Sequence, residues 1–85
     1  MSVYHKEIIE FIRSSFLSDQ DEETIIKGIV TQFNLSESDS NWAMEMYNTG
    51  VLRVMFIRSG NKYPKSNIDK DPFLLEAIKL HSTAL

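Results

Sequence analysis

The stretch that most limits what this chain can fold into is WAMEMYNTGVLRVMFIR, residues 42–58. It has no proline, and it holds the chain's only tryptophan, three of its four methionines and one central glycine. On a helical projection Ala43, Tyr47, Gly50, Val51, Val54 and Ile57 recur at three- and four-residue steps, which predicts a core-facing stripe. Trp42, Met46, Leu52 and Phe56 form a second set, with Met44 and Met55 at other angles. Glu45, Asn48, Thr49 and Arg53 mark what remains polar. The apolar arc is wider than the roughly 100° that a surface helix needs. Two explanations are open. A central helix packed on several sides needs such an arc. A helix that keeps Trp42, Met46 and Phe56 partly exposed for a partner, or for a second copy of the chain, has it too, since tryptophan and methionine are enriched at such surfaces.

A strand reading of VLRVMFIR competes, because Val, Phe and Ile favour strands. No second strand candidate exists, and a lone strand leaves its backbone groups unpaired. The segment therefore reads as one long helix, from about Glu37 to Ser59, with Gly60 as its stop. Asn48-Thr49-Gly50 is the place where it would divide into two pieces.

Three shorter amphipathic segments surround it. The first runs from about Val3 to Leu17, with Tyr4, Ile8, Phe11, Ile12 and Phe16 as its stripe and Glu10 placed to pair with Arg13. The second runs from about Glu22 to Phe33 on Ile25, Ile26, Ile29, Val30 and Phe33, capped by Asp19 or Asp21 and ended by a left-handed Asn34. Gly28 within it allows close helix contact. Ser36 with Asp39, or Ser38 with Asn41, opens the long helix. GNKYPKSNIDKDP is a loop, after which Asp71 caps a last helix with Pro72 at its first position. Leu74, Leu75, Ala77, Ile78 and His81 give that helix its apolar side. The expected fold is all-α: a single-domain bundle of four helices, residues 1–85, with a long third helix.

The 85 residues are 42% hydrophobic and 25% charged, ordinary for a soluble globular protein. No cysteine is present, which favours a reducing, cytoplasmic setting. Glu7, Glu10 and Arg13 interrupt any signal-peptide core, and no run approaches the roughly 18 apolar residues of a membrane span. The net charge is −3 and no segment carries a basic field, so neither nucleic acid nor an anionic membrane is the expected partner.

Catalytic and metal chemistry find little support. His5 and His81 stand near opposite ends without a ligand pattern. Asn67, Asp69 and Asp71 alternate like the first ligands of a calcium loop, but Pro72 replaces the turn glycine and Ile78 the final glutamate. No serine sits at a nucleophile elbow and no glycine-rich loop cradles phosphate. The expectation is a non-enzyme without metal or cofactor. A helix-turn-helix can be drawn across FNLS, but the reading helix would enter the groove with Glu37 and Asp39 and no cation before Arg53.

DEETIIKGIVTQF looks like the acidic-start second helix of the small acidic four-helix immunity proteins that neutralise nuclease bacteriocins. Tyr63-Pro64, the polar loop to Asp71-Pro72 and the final helix look like that family's tyrosine–proline turn and last helix. These fragments cover less than half of the chain, and its long third helix departs from that family's short one. The resemblance implies a small acidic helical inhibitor and assigns no functional residue here.

The leading expectation is a protein-interaction module that binds a protein partner or itself. Its contact surface would be Trp42, Met46 and Phe56 with Tyr63 of the loop, rimmed by Lys62, Lys65 and Lys70. An acidic inhibitor meeting a basic target through Asp19 to Glu23, Glu37 and Asp39 is the alternative, and a helix-turn-helix DNA-binding regulator the third reading.

Overall fold

The computed structural model describes residues 5–62 and 66–84. Four helices follow one another: α1 (His5–Leu17), α2 (Glu22–Phe33), α3 (Glu37–Arg58) and α4 (Pro72–Ala84), with a 3₁₀ turn at Asn67–Lys70 before α4. No strand occurs among the described residues. The helix ends obey local chemistry. Asp21 accepts the Thr24 N–H at 2.8 Å to cap α2, and Ser36 Oγ accepts the Asp39 N–H at 3.0 Å to cap α3. The bond to Thr24, through hydroxyl and backbone, holds the Asp21 carboxyl below the usual range. Asp71 Oδ1 accepts the Phe73 N–H at 2.8 Å at the start of α4.

The C-terminal ends of α1, α2 and α3 each need a left-handed residue. Asp19 (φ 64°), Asn34 (φ 54°) and Gly60 (φ 76°) supply them. After α3 the Gly60 and Asn61 amides return to the Ile57 and Phe56 carbonyls, the paired bonds of a Schellman motif. Asp19 therefore closes α1, with the same two bonds to Phe16 and Ser15, rather than capping α2.

α3 packs against all three other helices and is not divided at Gly50. The core gathers Ile8, Ile9 and Ile12 of α1, Ile25 and Ile29 of α2, Ala43, Met44, Met46 and Tyr47 of α3, and Phe73, Leu74 and Ala77 of α4. Several expected core positions differ. On α1 the buried stripe is turned toward Ile9 and Ser15, which leaves Phe16 37% exposed. Ile57, placed on the core stripe by its spacing, is 54% exposed because it lies in the last turn of α3. On α4 Phe73 is buried and Leu75 is exposed. Ser40 lies fully buried inside α3. The expected Glu10–Arg13 pair is absent among the described residues; the ion pairs are Glu23–Lys27, on the surface, and Arg53–Asp69.

The two helical glycines sit where neighbours come closest. A methyl group at Gly50 would stand 2.9 Å from Ala77 Cβ, and one at Gly28 would stand 2.8 Å from Phe11 Cζ. The consequences differ, because Ala77 is fully buried and its Cβ is fixed to α4, whereas the atom met at Gly28 is the far end of the half-buried Phe11 side chain. Replacing glycine in a helix gains up to about 1 kcal/mol of propensity, and overpacking a core costs about 1–3 kcal/mol. Thermal melts are expected to show Gly50→Ala lowering stability by about 1–2 kcal/mol and Gly28→Ala leaving it equal or higher. A Gly50→Ala protein that melts at or above wild type contradicts the packing described.

Candidate functional site

The length of α3 decides where apolar surface is left over. Its 22 residues span about 33 Å, whereas the 13, 12 and 13 residues of α1, α2 and α4 span about 18–20 Å each. α1 runs beside α3 from the region of Asp39 and Trp42, next to His5 and Ile8, to the region of Met55, next to Phe16 and Leu17. α2 lies against the opening turns of α3, where Glu37 and Asn41 face it. α4 reaches the end of α3, where Arg58 Nη2 donates to the Ser82 carbonyl at 3.5 Å, and the outward face of the last turns stays exposed.

The outward face of α3 also changes character along its length. Its N-terminal half presents Glu37, Ser38, Asn41 and Glu45, all exposed. Its C-terminal half presents Leu52 (54% exposed), Met55 (58%) and Phe56 (40%), spaced three and four apart so that they adjoin. Met55 borders the same hollow as Phe16 and Leu17 of α1, and Leu17 is 78% exposed. These five side chains form one apolar strip across the ends of α1 and α3. The strip carries no charge. Arg53 at its edge is held by Asp69, through Nε at 2.9 Å and Nη2 at 3.3 Å, with both side chains largely buried. Asp69 Oδ2 also accepts the Ser66 N–H at 2.8 Å, so the ion pair ties the 3₁₀ turn to α3.

The residues expected at the site do not come together as one face. Phe56 lies on the strip. Met46 is 2% exposed within the core and is unable to meet a partner; its place on α3 turns it inward beside Ala43 and Gly50. Trp42 is 41% exposed, but it precedes Phe56 by about 21 Å along the helix and leans on Phe73 with ring centroids 5.7 Å apart. It borders a separate hollow with His5, Ile8 and Leu35. Lys62 is exposed just beyond α3, while Tyr63 and Lys65 lie outside the described residues. Phe16, expected on the core stripe of α1, and Leu17, Leu52 and Met55 were not among the expected site residues. Leu52 and Met55 were visible as apolar positions off the core stripe, and Leu17 as an apolar residue at the very end of its helix.

Beneath the hollow beside the strip sits His81, which is 8% exposed. Its ring meets Tyr47 edge-on at 4.7 Å, and Tyr47 in turn stacks on Phe16 at 5.8 Å. Burial pushes the His81 imidazole below its ordinary value; the Tyr47 backbone acts the other way and the nearby Arg13 charge adds to the lowering. Burial likewise pushes the Tyr47 phenol up, with Arg13 opposing. The two histidines meet different aromatics, His5 facing Phe73 at 5.3 Å, and no cluster of potential metal ligands occurs among the described residues. No described helix is long and apolar enough to cross a membrane.

No family model, curated protein or solved structure matches this chain.

The state of His81 gives a pH dependence of known sign. Its folded-state pKa lies below the roughly 6.5 of the unfolded chain, so the unfolded state binds more protons in between. This contribution to stability is complete above about pH 6.5 and is lost as pH falls toward the folded value. Asp21, whose carboxyl is held low, titrates well below this window. Melting temperature is expected to fall between pH 7.5 and 5.5 in wild type and to fall less in His81→Leu. Equal slopes in the two proteins contradict the assignment.

Proposed function

We propose that this chain is a non-enzymatic, cytoplasmic protein-interaction module that pairs with a second copy of itself through the C-terminal half of α3. The observation that carries this reading is the strip of Leu52, Met55, Phe56, Phe16 and Leu17, five adjoining large apolar side chains that are 37–78% exposed. Scattered exposed leucines are ordinary, but contiguous apolar patches on small soluble proteins commonly mark interaction sites. A second copy suits this strip for three reasons. The three- and four-residue spacing is the one by which helices interlock. The five side chains of the strip are uncharged, so they themselves add no like-charge repulsion where two identical faces meet. A two-fold axis through Leu52 and Phe56 covers both copies at once, as symmetric dimers do.

A patch of this size is below the roughly 800 Å² per partner of a standard interface, so dimerisation is expected to be on the order of micromolar or weaker. Sedimentation over a concentration series is expected to show a reversible dimer insensitive to salt. Leu52→Lys with Met55→Lys is expected to give a monomer with unchanged helicity, both positions being more than half exposed. Wild type that stays monomeric at millimolar concentration, or a double variant that still dimerises, overturns the reading.

A separate feature favours the acidic inhibitor as a second reading. Between α2 and the start of α3 lies a groove of about 660 Å³, where Glu22, Glu23 and Glu37 surround Ile26 and Val30, with Lys27 also on the lining and paired with Glu23 at 3.3 Å. A basic protein docking there would associate rapidly and dissociate as ionic strength rises, the reverse of the salt behaviour expected of the α3 strip.

A further inference from the structure

Methionine carries the only sulfur in this chain, which has no cysteine. Among the described residues the methionines fall into two classes. Met44 is 1% exposed and Met46 2%, both inside the core, whereas Met55 is 58% exposed. Met55 follows Leu52 by three residues on α3 and borders the same hollow as Phe16 and Leu17 of α1, so it joins the two halves of the apolar strip. Oxygen transfer from a peroxide needs the peroxide to reach the sulfur, and needs water to solvate the charge that separates as the O–O bond breaks. Met44 and Met46 offer neither. No thiol in the chain reacts first, so Met55 is the described sulfur open to a peroxide.

We propose that Met55 is a reversible oxidation site, at which hydrogen peroxide converts the thioether to a sulfoxide and so releases the α3 dimer; this rests on the dimer reading above. A lone pair of the Met55 sulfur attacks one peroxide oxygen. The S–O bond forms as the O–O bond breaks, the proton on the transferred oxygen passes to the departing hydroxide, and water leaves. The sulfur is oxidised by two electrons and the peroxide is reduced. A thiol-dependent sulfoxide reductase reverses the change: two thiols become a disulfide and the oxygen leaves as water. The sulfoxide is a strong hydrogen-bond acceptor. Covered by a second copy, it loses its water and finds no donor among the side chains of Leu52, Phe56, Phe16 and Leu17, so its burial is costly. Met55 is covered in the dimer and open in the monomer, so oxidation proceeds through the monomer and draws the equilibrium toward it.

The full chain is treated with hydrogen peroxide at a concentration where the monomer prevails, and oxidation is mapped by peptide mass spectrometry. Met55 is expected to oxidise about tenfold or more faster than Met44 and Met46. Sedimentation is then expected to show a dimer dissociation constant about tenfold or more higher in the oxidised protein, with helicity unchanged. Methionine sulfoxide reductases acting on both sulfoxide epimers are expected to return it to its starting value. Met55→Leu is compared with its own untreated form, whose dissociation constant peroxide is expected to leave unmoved. Met44 or Met46 oxidising as fast as Met55, an oxidised wild type that dimerises as before, or a Met55→Leu protein that peroxide still disperses each overturns the proposal. An untreated wild type that is monomeric overturns the dimer reading and this proposal with it. A dimer indifferent to Met55 oxidation overturns this proposal alone, so the two failures are told apart.

Discussion

The constraint on which the structure turns is one of length. A helix of 22 residues is packed by three of 12 or 13, no one of which matches it in length. Where neighbours reach, α3 is apolar on the side they touch and polar outside. Over the C-terminal half the outward face is apolar as well, at Leu52, Met55 and Phe56. The width of the apolar arc in the sequence therefore has two sources. Met44 and Met46 are core, because α3 is packed on more than one side, and Leu52, Met55 and Phe56 are surface.

The close approach of α3 to α4 holds this arrangement. Gly50 removes the side chain that would strike Ala77, and the contact sets His81 against Tyr47 with its Cδ2 close to the glycine. Arg53 and Asp69 fix the turn that leads into α4, and Asp71 then starts the helix. The same packing that buries His81 leaves its Nε2 without a partner. The apolar strip and the hollow thus arise from one geometry, in which the chain ends of α1 and α3 overhang the core.

Much of this was legible in the sequence, because helix ends are local chemistry. Asp21, Asn34, Ser36, Gly60 and Asp71 act where their side chains and backbone preferences place them, and the bounds of α2 follow from them. Helical periodicity located the buried isoleucines of α2 for the same reason. Periodicity says which residues share a face, but not how far along the helix that face stays covered. Ile57 continues the stripe of Val54 and Gly50 yet extends past its neighbours, and Trp42 and Phe56 share an angular sector yet lie at opposite ends of α3. The Arg53–Asp69 pair spans 16 positions, and nothing in the local pattern joins the two residues before the loop folds back.

The claim that the C-terminal face of α3 is an interface, and not an incidental overhang, is tested most directly by isotope-filtered NMR. Equal amounts of labelled and unlabelled chain are mixed at millimolar concentration and contacts between copies are recorded. Cross-peaks between the Leu52 and Met55 methyl groups of one copy and the Phe56 ring of the other are the expected result. Contacts between copies confined to the groove of Glu22, Ile26 and Glu37, or none at all, would contradict it.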